Sequence, residues 1–567
     1  MSEVYEHPMR LKIPIFFSMM LFVLAWLLPN HYFPWVMAYQ EFLCFFSGFL
    51  LVFFVFLAKF SRFPRSCIFF CFLPFIPLLQ ALTGLVFFSG DAWVAALYLG
   101  AFALMIFVGF NFAVDINIRS YFICLMASVF IVGAIFSVWI ALRQWLMLSG
   151  SIWVADMPPG GRPFANLAQP NNLATLLCMG LAGVIYLYEK YYIGRLVSGI
   201  LVFFLLFGIT LTQSRTPLVG AFAVVVFLIW KSFSCQLRLS LMSVFFWLVV
   251  YFVFIFVFPL LSDFLLLPSS GVLERSQSLE RLDMWLQFWH AVWLKPVLGY
   301  GWNQVSVAQV ATSLVYPVPI LTEHSHNIML DMLLWNGVVL GGVIISFVVV
   351  WLGRLVWSAH SSESLFVLLA VCFVLVHAMF EFPLEYAFFL LPVGLLLGVA
   401  VAESPTAHAF FLPRWVLGGV LAFWGGVFCW VWFEYRIIEE DHRLMRFENA
   451  QIGDLKAVQE APDVVLLTQL REFIRFARTP ATINMSREQI EWMRKVSHRY
   501  PYVSSIFRYS LALALNGQAD AAREQLLILR ALHGEKYYAE GMQSLWDMSA
   551  SYPQLVTVLH GLPVVEP

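Results

Sequence analysis

Two histidines, His324 and His326, follow Glu323 immediately before a long apolar run. An imidazole can take a proton from a hydroxyl near neutral pH, which makes a general base one reading of the pair. A metal site is a second reading, although His290 is the only further histidine or cysteine ligand in the same part of the chain. Interfacial histidines without a chemical role are a third. Three arginines stand in equally uncommon settings. Arg162 lies in Gly160-Gly-Arg-Pro-Phe-Ala-Asn-Leu-Ala-Gln-Pro-Asn-Asn172, Arg215 in Gln213-Ser-Arg-Thr216, and Arg281 in Glu280-Arg-Leu-Asp-Met-Trp285. The planar guanidinium grips phosphate oxygens two at a time, so three of them facing one cavity suit a diphosphate. Taken singly, each could be an arginine snorkelling to a membrane interface. A weaker polar cluster, Phe380-Glu-Phe-Pro-Leu-Glu-Tyr386, adds Glu381 and Tyr386.

The elements that must hold these groups are set by composition. The 567 residues are 61% hydrophobic and only 12% charged, with a mean hydropathy of +0.82. A soluble domain carries about twice that share of charge, so a cytosolic enzyme, a disordered scaffold and a secreted disulfide scaffold are excluded. The formal net charge of −1 and the absence of a basic surface argue against nucleic acid. The eight cysteines fall mostly in apolar runs and form no Cys-x-x-Cys pair. Neither structural zinc nor a disulfide framework is expected.

Thirteen runs are long and apolar enough to read as membrane helices, near 13–29, 35–58, 67–88, 92–113, 120–142, 171–188, 196–212, 217–230, 240–261, 328–352, 364–380, 386–402 and 415–433. No small-residue cleavage site follows the first, which reads as a retained helix. Lys59, Arg62, Arg65, Arg119, Lys190, Arg195, Lys231, Arg238, Arg354 and Arg414 gather in one set of short loops, with Arg10 and Lys12 at the N-terminus. That bias predicts the N-terminus inside and, with an odd number of spans, the C-terminus outside. The fold expected is an all-α polytopic membrane protein of about 13 transmembrane helices. Residues 1–433 form the membrane domain and 434–567 a C-terminal helical domain on the outer face.

Two outer segments exceed hairpin length, 146–170 and 262–327, the second with an amphipathic helix predicted at Leu279–Leu294. Beyond Glu434, charges become frequent and apolar residues recur at helical spacing. The run Tyr509-Ser-Leu-Ala-Leu-Ala-Leu-Asn-Gly517-Gln-Ala-Asp-Ala-Ala522 spaces Tyr, Gly and Ala roughly as a tetratricopeptide unit does. A partner-binding surface and a helical cap are both open readings of this region. All the polar clusters map to the outer face. That convergence marks a site, because polar groups at a membrane face are costly unless used.

Several blocks carry a family resemblance. His326-Asn327, nine residues and Gly337 resemble the histidine motif of the O-antigen ligase superfamily, with its second glycine one residue late at Gly341. The Arg162–Asn172 block resembles more specifically the PglL-type bacterial O-linked oligosaccharyltransferases. Ser214-Arg215-Thr216, Arg281-x-x-x-Trp285, Pro296-x-x-Gly299-x-Gly301 and Glu381-Phe-Pro-Leu-Glu-Tyr386 are similar to blocks these enzymes share. The resemblance covers about 150–400, in chain order.

It implies a metal-independent reaction without cofactor at the periplasmic face of the bacterial inner membrane. A glycan on undecaprenyl diphosphate is transferred as a block to a Ser or Thr hydroxyl of a protein such as a type IV pilin. Arg215 and Arg281, with Arg162, would stabilise the diphosphate leaving group. His326 would be the general base for direct, inverting attack. Gln169, Asn172, His324, Asn327, Glu381 and Tyr386 would bind substrate and shape the site, and a nucleophilic role for Glu381 stays open. Ligation of O-antigen to lipid A core and O-antigen polymerisation are the alternatives within the superfamily. A non-enzymatic glycolipid transporter would need polar groups along the membrane midplane, where this chain has almost none.

Overall fold

The structure is a computed structural model that describes residues 3–58, 61–148, 150–158, 160–233, 235, 237–267, 278–404, 408–452 and 460–563. Part of the second long outer segment, 268–277, and the Glu280 side chain lie outside the described residues.

Helices dominate. In chain order they are α1 (Glu3–Leu27), α2 (Ala38–Leu57), α3 (Ile68–Phe72), α4 (Phe75–Leu82), α5 (Ser89–Val114), α6 (Ile116–Trp145), α7 (Pro170–Glu189) and α8 (Arg195–Leu211). There follow α9 (Thr216–Ser232), α10 (Leu241–Phe264), α11 (Ser278–Leu294), α12 (Val305–Thr312), α13 (Ile328–Ser358), α14 (Ser362–Ala378), α15 (Ala387–Glu403) and α16 (Arg414–Asn449). Six more complete the chain: α17 (Thr468–Arg478), α18 (Arg487–Arg499), α19 (Val503–Leu515), α20 (Ala519–His533), α21 (Glu535–Ser549) and α22 (Leu555–Leu559).

Each of the thirteen apolar runs contains a helix. Among the described residues, eight helices are long and apolar enough to cross a membrane, judged by length and composition. Six shorter apolar stretches, Leu11–Leu27, Arg195–Leu211, Thr216–Ser232, Ser362–Ala378, Ala387–Glu403 and Val503–Leu515, are 10–17 residues long. At 1.5 Å per residue, a helix of that length falls somewhat short of a core about 30 Å thick. The chain is thus a multi-pass membrane protein. It is not purely α: β1 (Arg62–Pro64) pairs antiparallel with β2 (Ala409–Phe411), Phe63 opposite Phe410. Three-residue strands in short loops leave no periodic signature to read.

The chain divides into two compact units. The first comprises Met1–Pro74, Leu97–Arg275 and Val348–Trp432. Here α6 packs on α1 and α7, α7 on α8 and α14, and α14 on α15. The backbones of α5 and α15 nearly touch. A β-carbon on Gly398 would lie 2.7 Å from the Phe110 amide nitrogen, the small-residue contact expected between helices in lipid.

The second unit comprises Phe75–Ala96, Ser276–Phe347 and Phe433–Pro567. Its C-terminal helices pack as successive antiparallel neighbours, α18 on α19, α19 on α20, α20 on α21. Their core is built from Met493, Val496, Ile506, Leu513, Leu526, Leu529 and Leu545. Ser486 and Gln489 close a capping box at the start of α18, and Gly517, at φ +79°, makes the turn between α19 and α20. Buried ion pairs tie the parts together. Arg499 donates to both oxygens of Asp91 at 3.0 and 2.9 Å, and Arg478 bridges Asp441 and Glu448.

His498 gives this unit a pH signature. Its ring packs edge-on to Tyr509 and lies 3.3 Å from the Gln525 side chain. Burial, aided by Arg494, pushes its pKa from 6.5 down to about 4. Between those two values the unfolded chain holds a proton that the folded one refuses, so the contribution is intact above pH 6.5 and lost as pH falls toward 4. His498→Gln is expected to flatten that part of the melting-temperature profile, measured between about pH 7 and 4.

Candidate active site

In the first unit, the segment before α7 is pinned by two buried amides. Gln144, at the end of α6, accepts from the Phe164 and Ala165 amides at 3.0 and 2.8 Å and donates to the carbonyls of Ala155 and Ala165. Asn166 accepts from the Ala155 amide and donates to the carbonyls of Leu27 and Trp153. These bonds hold Ala165 and Ala168 in the left-handed region, at φ 53° and 62°. Strain of this kind persists only where surroundings over-determine it, and it clusters at functional sites.

Pro170 then starts α7 with its φ preset for a helix. Gln169 is the N-cap residue but makes no capping bond. On the first turn, Asn172 donates to the Leu167 carbonyl at 3.0 Å and lies near Tyr386. Asn171 links two other blocks: it accepts from Ser214 Oγ at 2.6 Å and donates to Glu381 Oε1 at 3.1 Å. Arg162 Nη1 donates to the Gln213 carbonyl at 3.3 Å, and Gln213 is itself left-handed, at φ 49°. Arg162, Asn172, Glu381 and Tyr386 are therefore brought together with the turn that carries Arg215. Arg215 is exposed at the start of α9.

In the second unit, α11 carries Arg281 and Trp285 one turn apart. Trp285 Nε1 donates to the Ser325 carbonyl at 2.9 Å, joining this helix to the histidine segment. Ser325 is fixed at both ends. Its amide donates to the buried Asp331 at 2.8 Å and its hydroxyl to the Asn327 carbonyl at 3.0 Å. The Thr322 hydroxyl donates to the His324 carbonyl at 2.6 Å. His326 does not sit on the helix. It occupies the bend before α13, at φ 56°. Asn327 Oδ1 caps α13, accepting from Met329 and Leu330 at 3.0 and 3.2 Å, so only the amide nitrogen of Asn327 is left for a substrate. Tyr502, from the C-terminal helices, donates to Glu323 at 3.2 Å.

The motif glycine has a definite task. Gly337, at φ +74°, interrupts α13, and the run Pro296–Gly301 lies against the break. Val338 donates to the Pro296 carbonyl at 2.7 Å, and Tyr300 to Leu334 at 2.7 Å. The Gln80 side chain donates to the Trp335 carbonyl and accepts from the Trp302 amide, both at 2.9 Å. A β-carbon on Gly337 would strike the Val297 carbonyl. Gly337→Ala is expected to destabilise this junction by about 1–3 kcal/mol, lowering membrane abundance and melting temperature together.

Sequence reading took Asn171 and Ser214 only as members of their blocks and passed over Asp331 and His377. His377 is fully buried on α14, its Nδ1 2.9 Å from the Thr175 hydroxyl. A histidine inside an apolar run, one turn before Glu381, was the available signal.

In the first unit, strained, amide-pinned loops carry Arg162 and Arg215; in the second, Arg281 stands on α11 and His326 in the bend before α13. A family model for "O-Antigen ligase" matches 200–345, one for "Virulence factor membrane-bound polymerase, C-terminal" 365–544, and one for "Protein glycosylation ligase" 163–188. A general O-oligosaccharyltransferase of Acinetobacter baylyi is 29% identical over 534 residues, 92% of each chain. A ComP-specific O-oligosaccharyltransferase of the same organism is 30% identical over 331 residues, covering 57% of this chain and 59% of that one. By these matches the chain is similar to the PglL-type O-oligosaccharyltransferases and is, like them, a glycosyltransferase. Its membrane-length apolar helices make the bilayer a partner.

Proposed function

We propose that the chain transfers a preassembled glycan from undecaprenyl diphosphate to a Ser or Thr hydroxyl of a periplasmic protein, such as a type IV pilin, at the outer face of the bacterial inner membrane. In this reading all thirteen apolar runs cross the membrane. Residues 1–433 form the catalytic domain and 434–567 a tetratricopeptide-like periplasmic domain that receives the acceptor. His326 removes the acceptor proton as its oxygen attacks the anomeric carbon, with inversion. The diphosphate leaves with the bonding electron pair, its growing charge met by Arg215 and Arg281, with Arg162 contributing. Gln169, Asn172, His324, Asn327, Glu381 and Tyr386 orient the substrates, with no metal or cofactor taking part.

The observation that carries this reading is the turn bearing the exposed Arg215, whose neighbours Gln213 and Ser214 are bonded to Arg162 and Asn171. Phosphate recognition needs a guanidinium fork held in place, and two-pronged contacts also give it direction. Co-expression with a lipid-linked glycan and a pilin tests it. A pilin mass increased by one glycan block is the expected result, whereas glycan on lipid A core alone would assign the chain to O-antigen ligation. Cysteine-accessibility labelling tests the topology: 189–195 and 353–363 are expected to be shielded from the periplasm and position 500 open to it. A position 500 reachable only from the cytoplasm would remove the shared outer face.

A further inference from the structure

A cavity of about 470 Å³ opens among α7, α8, α9, α10 and α14, all within the first unit. It exists because α9 packs chiefly on α14 while α10 packs chiefly on α8, so the two pairs part over α7. Its volume is in the range that holds a small organic ligand or a chain. The two ends differ in chemistry. At the end nearer Arg215 it is lined by Ile209, Pro217 and Ala221, with no charged side chain in the lining. At the far end the lining includes Arg195, Arg238, Ser198 and Ser240.

Arg238 is held there with unusual firmness. Its guanidinium lies 3.9 and 4.1 Å from the centroids of the Tyr188 and Tyr191 rings, and Nη1 donates to the Tyr188 carbonyl at 2.6 Å. Contacts of this kind hold the charge in place while its other N–H groups can meet an anion. Glu189, the acid beside it, is engaged by the amides of Arg238 and Leu239 at 2.8 and 2.7 Å. Both α8 and α10 begin at this end, so the positive ends of two helix dipoles add to the field. A basic pocket between membrane helices, on the side of the positively charged loops, is the chemistry that recognises an anionic lipid headgroup.

We propose that this cavity holds an anionic phospholipid, with one acyl chain between α8, α9 and α10 and its phosphate at Arg195 and Arg238. The two arginines at the far end favour a headgroup there, since an isoprenoid chain calls for no cation in the lining. The bound lipid would fill, from the leaflet opposite the Arg215 turn, a void that otherwise separates the two helices flanking that turn. The site shares no residue with the transfer machinery.

The test uses the full chain, purified and reconstituted in nanodiscs of phosphatidylcholine with or without phosphatidylglycerol, and read by native mass spectrometry and thermal melting. Wild-type protein is expected to retain phosphatidylglycerol and to melt several degrees higher with it. Arg195→Gln should lower the retained lipid about fivefold. Gly199→Leu keeps every charge and fills the cavity. A β-carbon there meets only Trp247, at 3.7 Å, and this variant should lose both retention and the melting shift. Val202→Phe fills the same space should Gly199→Leu fail to fold. If the filled variants retain phosphatidylglycerol as wild type does, the lipid is merely drawn to surface charge and the proposal fails. It fails equally if phosphatidylglycerol is absent while added undecaprenyl phosphate is retained in wild type and lost on filling.

Discussion

His326→Ala should reduce glycan transfer by about 10²–10⁴-fold, the span over which a positioned general base contributes, while the lipid-linked donor still binds. The ring lies in a bend locked by Ser325, Asp331 and the Asn327 cap rather than on the helix. Removing it opens no core cavity, because the residue is only half-buried. His324→Ala should retain partial activity, and chelator should change neither variant. Transfer assays with a co-expressed acceptor, alongside donor binding to detergent-solubilised protein, separate the two effects. Near-normal transfer by His326→Ala with loss in His324→Ala would move the base to the other ring. Inactivation by EDTA with rescue by zinc would replace the base with a metal.

Arg215→Lys should lower transfer by about tenfold to a hundredfold at equal membrane abundance, although the charge is kept. Lysine is a strongly hydrated point charge and cannot reproduce two parallel N–H bonds to phosphate oxygens. The exposed position at the start of α9 makes the substitution structurally tolerable, so the loss should appear in activity and not in melting temperature. Activity equal to wild type would reduce Arg215 to an interfacial anchor.

Hydrophobic length placed a helix in each of the thirteen apolar runs, eight of them long and apolar enough to cross a membrane, and amphipathic spacing placed the helix carrying Arg281. Length is blind to interruption. The break at Gly337 lies inside an unbroken apolar run, and only the docking of Pro296–Gly301 shows why the helix stops there. Side-chain amides were similarly opaque. Gln144 and Asn166 look like ordinary loop-edge residues, yet they define the conformation of the segment that presents Arg162. The candidate site was legible as separate blocks because rare polar residues stand out against lipid-facing sequence. What joins them, Asn171 to Ser214 and Glu381, or Trp285 to Ser325, depends on geometry that spacing does not encode.

The buried Asp91–Arg499 pair, with Tyr502 on Glu323, bears on how such enzymes can be recombined. A graft that exchanges the chain at 433 would set Asp91 against whatever side chain the donor sequence carries at the Arg499 position. Stranding one member of a buried pair costs about 3–5 kcal/mol, enough to unfold many domains. It would also separate the histidine loop from the tyrosine that touches it. A chimera meant to change acceptor preference therefore has to bring 75–96 and 276–347 along with the C-terminal helices, or keep both pairs intact. Over evolutionary time, three stretches far apart in the chain are bound to be inherited as one block.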